Sequence, residues 1–261
     1  LSSTWYCPAP VTGVTGATHQ LLITNPGDVT AVRFSAYGAE GLVRSESVEL
    51  GGGRTSTIDV GQLFGAENLS VLVESSVGDL AVEQRVAASL GADQVACATS
   101  ASEEWHFPAL TTTLGATARL VLFNPFSDDA GVDVTAATED GVIRPPALTG
   151  VVVPAGTARV IDLGESFSRR ELFAMSLELR TGRVVAGTVQ LYDPAPIEDL
   201  PADSEVRQRV TLARGIRMML GVPRPTAYWA FADGFVGPGV REQVVVYNPS
   251  EDKVRVIIQV V

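Results

Sequence analysis

The chain has 261 residues, of which 46% are hydrophobic and 19% charged, enough material for about two domains of ordinary size with packed cores. Disordered chains combine low hydrophobicity with high charge, so that class is excluded. A formal net charge of −11 opposes contact with phosphate backbones and anionic lipid, so nucleic acid is not an expected partner.

Three segments repeat along the chain, and a fixed period is the strongest architectural signal a sequence carries. The first opens on Trp5-Tyr6-Cys7-Pro8, runs through HQLLITNP to Asn25-Pro26, and continues as TAVRFSAYG. The second opens on Trp105-His106-Phe107-Pro108, reaches Asn124-Pro125 through ARLVLFNP, and continues as GVDVTAAT. The third opens on Trp229-Ala230-Phe231-Ala232, reaches Asn248-Pro249 through EQVVVYNP, and ends in KVRVIIQVV. From Trp to Asn the separations are 20, 19 and 19 residues. Downstream, STIDVGQLF (56–64) pairs with ARVIDLGESF (158–167), and 70–86 pairs with 175–191, with Gly78 and Gly182 as turn markers.

Short apolar runs separated by Asn-Pro, Gly-rich and Pro-Ala-Gly turns at spacings near ten residues predict antiparallel strands rather than βαβ units. Val32, Phe34 and Ala36 alternate with Arg33 and Ser35, as half-buried strands require. The expected fold is all-β, as tandem immunoglobulin-like antiparallel sandwiches. The boundaries are 1–100 for the first, 101–193 for the second, 194–226 for a linker or insertion, and 227–261 for an incomplete third. Trp5, Trp105 and Trp229 read as core anchors, the last two paired with Phe107 and Phe231. Asn25, Asn124 and Asn248 read as turn-capping side chains, with Pro setting the next φ. The acids beside these turns are too few for a calcium site and read as solvated charge.

Cys7 and Cys97 are the two cysteines. A bridge between them ties the opening strand to the exit of the first copy, and closing a loop that long is worth about 4–5 kcal/mol. The alternative is two buried free thiols. With no Cys-x-x-Cys the disulfide is the favoured reading, and it implies an oxidising, extracytoplasmic compartment.

No catalytic, metal or cofactor-binding residues are expected. The two histidines, His19 and His106, fall at non-equivalent positions of different copies. No nucleophile elbow, zinc-protease motif or phosphate loop occurs. The acidic doublets, Glu103-Glu104 and Asp128-Asp129 among them, fall in predicted turns and linkers. Two carboxylates gathered from separate loops into a hydrolase site remain a third option that spacing does not test. Asn68-Leu69-Ser70 matches a glycosylation acceptor. The basic segment 206–225 is either a short amphipathic helix or an extra strand completing the third copy. Neutralising an acidic protein is the plainer role for its arginines than binding a membrane surface. Three strands from 227 onward do not close a sandwich. The third copy is therefore expected to pair with further chain, with 206–225 or with a partner.

The motifs TWYCP, CATS…EEWHFP, LVLFNPFSDDAGVDV and VVVPAGTARVIDL resemble a family of exported actinobacterial proteins of unknown function. YWAFADGFVGPGVREQVVVYNPS looks like a broader bacterial surface-repeat pattern. The resemblance implies an extracytoplasmic, membrane-tethered context with the anchor outside this chain, and Cys7 and Cys97 match the family's cysteines. It offers no active-site residues. The expected function is a non-enzymatic cell-envelope spacer or protein-interaction scaffold, with an envelope protein or glycan as partner. The alternative is a carbohydrate-binding accessory module for cell-wall glycans, with Tyr37 and Tyr192 as candidate platforms.

Overall fold

A computed structural model describes residues 3–9, 16–194, 213–231, 237 and 243–259. The first copy holds β1 (Thr4–Cys7), β2 (Thr18–Asn25), β3 (Thr30–Gly38), β4 (Gly41–Leu50), β5 (Arg54–Asp59), β6 (Ser70–Ser75), β7 (Ala81–Ala88) and β8 (Gly91–Ala96). They form two four-stranded sheets, ordered β1-β6-β3-β4 and β5-β2-β7-β8, every pairing antiparallel. Inward-facing Leu21, Ile23, Val32, Phe34, Val71 and Val73 are fully buried between them, while Arg33 is exposed. This is the alternation a sheet with one wet face requires.

The second copy repeats the plan with β9 (Glu104–Leu110), β10 (Ala116–Asn124), β11 (Ala130–Thr138), β12 (Gly141–Ile143), β13 (Val151–Val153), β14 (Thr157–Asp162), β15 (Phe173–Thr181) and β16 (Val185–Tyr192). Strand pairing fixes the correspondence between copies. Trp5 faces Val73 as Trp105 faces Leu177, and Phe34 faces Val73 as Val134 faces Leu177. The register is therefore 70 to 174, one residue away from the segment starts read off the sequence. Gly78 and Gly182 carry the correct offset. A slip of one residue exchanges the two faces of a strand, so the core decides it. Both copies also share a short turn after an Asp cap. Asp59 accepts from the Gln62 amide at the start of helix α1 (Val60–Phe64), and Asp162 accepts from Gly164.

The segment assigned to a linker or insertion holds the last strand of the second sandwich. Strand β17 (Gly215–Leu220) pairs with β16 and completes the sheet β14-β10-β16-β17. It is neither a helix nor a part of the third copy; 195–212 lie outside the described residues. It is the counterpart of β8. Gly91 and Gly215 open the two strands with φ of 146° and 151°, a backbone region L side chains rarely adopt. The apolar side chains of β17 close the free edge of the second sandwich, which is why this arginine-rich segment is a strand.

After β8 and after β17 the chain changes sheets. Ala98 exchanges both backbone hydrogen bonds with Tyr6 of β1, and Val222 does the same with His106 of β9. At the crossing the first copy carries the Cys7–Cys97 disulfide. The second copy has Phe107 opposite Gly221, where an added Cβ lies 2.7 Å from the Phe107 ring. One copy closes its edge covalently and the other by aromatic packing on a glycine.

Asn25 and Asn124, 1% and 0% exposed, end their strands with the same bonds. The Asn124 amide donates to the carbonyls of Asp128 (2.9 Å) and Val153 (3.0 Å), and its Oδ1 accepts from Phe126 N–H at 3.2 Å. Asn25 donates to Asp28 at 2.7 Å and accepts from Gly27 at 3.1 Å, with Leu50 the distant 3.4 Å partner. Leu50 and Val153 belong to the opposite sheet, so each Asn ties the two layers together.

The third copy differs from its reading. Residues 227–231 and 243–259 carry no strand. Trp229 and Phe231 are 53% and 73% exposed, against 1% and 0% for Trp105 and Phe107; they are not core anchors. Among the described residues no second sheet covers them, and a side chain in core phase stays wet without one. Asn248 still donates to Asp252 at 2.7 Å and accepts from Ser250 N–H at 3.2 Å, but it is exposed.

Asn124→Ala is expected to destabilise the second sandwich by about 2–4 kcal/mol, because it removes the buried amide's bonds to the Asp128 and Val153 carbonyls. Asn248→Ala is expected to change stability by less than about 0.5 kcal/mol, as exposed substitutions do. Urea titrations of the two variants measure the contrast.

Candidate functional site

The described residues present two junctions between copies, and polar side chains gather at the second. At the first, Tyr6 and Tyr37 on the outer face of β1-β6-β3 meet Phe123 from the end of β10, with ring centroids 6.5 and 5.3 Å apart. Phe126 lies 5.9 Å from Tyr6, and the Arg183 guanidinium stacks on Phe126 at 4.3 Å. Leu72 also packs here against the second sandwich. Burial raises the Tyr6 and Tyr37 hydroxyl pKa values, as expected where phenols leave water. Tyr37, a candidate sugar platform by sequence, is thus half-buried packing. Tyr192, the other, accepts a hydrogen bond from Gln190 Nε2 at 2.8 Å.

A further seam joins the same two sandwiches. Val86 with Ala88, Leu90 and Val95 packs against Val189, Leu191, Ile216 and Met218. The Met218 N–H, on the free side of β17, donates to Asp93 Oδ2 at 2.7 Å. An edge amide otherwise open to another strand is thereby covered from the first copy.

At the second junction the equivalent face is polar. His106 stands directly opposite Ser176 on β9 and β15, outward from the core. Its Nδ1 lies 2.8 Å from Ser176 Oγ, and its Nε2 lies 2.5 Å from Glu104 Oε1. Ser176 Oγ in turn lies 2.8 Å from Tyr247 Oη, and the Tyr247 ring stands 6.2 Å from the imidazole. His106 and Ser176 are 6% and 7% exposed.

One proton order satisfies every group. Tyr247 donates to Ser176, Ser176 to His106 Nδ1, and His106 Nε2–H to the Glu104 carboxylate. Acid, imidazole and hydroxyl in a row are the parts of a nucleophile relay. Here the hydroxyl is capped by a phenol and sits mid-ladder between Thr135 and His106. The arrangement holds a segment of chain against a sheet. The sequence reading missed it because it placed Glu104 in a linker and met His106 and Ser176 seventy positions apart. The pairing of equivalent strands is the signal that brings them together.

A concavity of about 480 Å³ opens between the two inter-copy connections and is lined by Ser100, Ser102, Arg224, Thr226 and Trp229 among others. Among the described residues no cluster of metal-ligating side chains occurs, and no helix is long and apolar enough to cross a membrane.

Residues 7–165 match the Family of unknown function (DUF5719), more than half of the chain. The chain belongs to this family. The matched region runs from Cys7 through Cys97 and the Glu104–His106 strand into the second sandwich, stopping before Ser176. No curated protein matches the chain. Among solved structures, "Thermotoga maritima 1070" is similar at 14% identity and a TM-score of 0.33, over 46% of this chain and 93% of its own. A Streptomyces avermitilis alpha-L-rhamnosidase complexed with L-rhamnose is similar at 10% identity and a TM-score of 0.25. That likeness covers 85% of this chain and 27% of the other. Likenesses this weak carry no argument about activity.

His19 lies apart from these features, inside the first sandwich. Both its ring nitrogens are buried without a hydrogen-bond partner. Burial pushes its pKa down to about 4, with the Leu69 backbone, Asp59 and Gln84 offsetting only part. Above pH 6.5 the imidazole is neutral in folded and unfolded chains alike. Between pH 6.5 and 4 only the unfolded chain takes up the proton, so about 3 kcal/mol of stability is lost over that window. His19→Leu is expected to remove that part of the pH dependence, read by denaturant titrations at pH 7 and pH 4.5.

Proposed function

We propose that the protein is a non-enzymatic, extracytoplasmic cell-envelope protein whose docked sandwiches act as a spacer or protein-interaction scaffold. The observation that carries this reading is the pair of apolar seams between the first two sandwiches. Two domains on a flexible tether move independently, whereas a large hydrophobic interface suppresses that motion. Here Phe123 and Phe126 enter a tyrosine-lined face, and the Val86–Leu191–Met218 seam closes a second contact. The Cys7–Cys97 bridge suits an oxidising compartment.

The test is a distance measurement. Spin labels on Val43→Cys and Val142→Cys, both exposed, are expected to give one narrow distance distribution. Phe123→Ala combined with Leu191→Ala broadens it. A broad distribution in the otherwise unaltered chain refutes the rigid scaffold.

The second reading is a module binding cell-wall glycans, favoured by Trp229, whose half-exposed indole lines the open cleft beside Arg224 and Thr226. An exposed planar aromatic beside hydrogen-bonding groups suits a sugar ring. On this reading a cell-wall glycan array gives hits that Trp229→Ala abolishes; an array without hits removes it.

A further inference from the structure

The two junctions are copies of one another. Between the second and third copies the equivalence is a constant 124 positions, from Trp105 to Trp229, Phe123 to Tyr247 and Asn124 to Asn248. The Asn248 turn reproduces the two local bonds of the Asn124 turn, to Asp252 as to Asp128 and from Ser250 as from Phe126. Trp5 and Trp105 share the strand register that makes His106 the counterpart of Tyr6 and Ser176 the counterpart of Leu72. Tyr247 approaches the His106 ring at 6.2 Å as Phe123 approaches the Tyr6 ring at 6.5 Å.

We propose that the outer face of β9 and β15, centred on His106 and Ser176, is a docking surface for the next sandwich module, read by the residue immediately before that module's Asn-Pro turn. Within this chain the occupant is the third copy, entering through Tyr247. The inference deepens the scaffold reading and rests on it: it names what the scaffold's second joint accepts.

The chemistry makes the joint selective. A Phe at the entering position forfeits the bond Ser176 accepts and leaves that hydroxyl only its bond to His106, while a Tyr at the first junction carries a hydroxyl into a face lined by Leu72 and aromatic rings. A buried polar group left unpaired opposes docking more than a satisfied pair favours it, and discrimination between partners is built from such mismatches. The apolar first face takes Phe and the polar second face takes Tyr, so the order of modules is encoded at their joints. The seated turn also explains why a copy whose described residues form no closed core keeps its Asn248 geometry. Val244, Val246, Val254, Val256 and Ile258 correspond to buried core positions yet stand 51–65% exposed, so the joint holds the segment in place of a core.

Amide hydrogen exchange on the full chain tests this. Tyr247→Phe and Ser176→Ala, which both remove the Tyr247–Ser176 bond, are each expected to speed exchange of the Ser250 amide, held by Asn248 Oδ1 in the seated turn, roughly five- to tenfold. Because the Tyr247–Ser176 bond is lost in either variant, the double variant is expected to add little. The triple variant His106→Tyr, Ser176→Leu, Tyr247→Phe, which installs the first junction's chemistry, restores protection. A Ser250 amide that exchanges in the unaltered chain at the unfolded rate, or that is indifferent to Tyr247→Phe, overturns the proposal. The spin-label distance between the first two sandwiches is independent of this result, so failure of the joint and failure of the rigid scaffold are read separately.

Discussion

The change of sheet at the end of each sandwich is the constraint on which this molecule depends. Each sheet of a sandwich has two open edges, and unpaired strand edges invite other chains. Here the last strand pairs with one layer along its length, then crosses and bonds to the first strand of the other layer, Ala98 to Tyr6 and Val222 to His106. The crossing needs close approach of backbones at one point. Cys7–Cys97 secures it in the first copy, and Phe107 over Gly221 in the second. From the crossing the chain has only a few residues before the next Trp strand begins, and that short reach fixes where the next sandwich lies.

Docking follows from this geometry. Once the second sandwich is launched from Ala98, the end of β10 lies over the face of β1 and β6, and Phe123 meets Tyr6. The same launch from Val222 delivers Tyr247 to His106. The contacts are alike in position and opposite in character: burial and ring packing hold the first, a chain of hydrogen bonds the second. Burial is non-directional and tolerant, whereas a hydrogen-bonded chain demands matched donors and acceptors. Joints that differ in this way accept different side chains, Phe123 at the first and Tyr247 at the second.

Much of this was legible in the residues. Alternating apolar runs and turn residues identified sandwiches because half-buried strands and turns obey local rules. The recurring Trp and Asn-Pro marked equivalent positions because each copy solves the same packing problem. The cysteine pair was readable from its place at the start and exit of one copy. What the residues concealed was long-range. Strand β17 lies in a segment whose arginines and methionines resemble an amphipathic helix, and only the free edge of β16 makes it a strand. Trp229 carries the pattern of a core residue, but burial needs a second layer that the pattern does not contain.

Sequence alone determined the strand character and the repeat, since these follow from periodicity and recurring landmarks, and with two cysteines in the chain a disulfide within it had one possible pairing. Tertiary structure decided the one-residue register of the later strands, the partner of β17 and the meeting of Glu104, His106, Ser176 and Tyr247. Each of these depends on which surfaces are left uncovered once the sheets have paired, and no local run of residues carries that information.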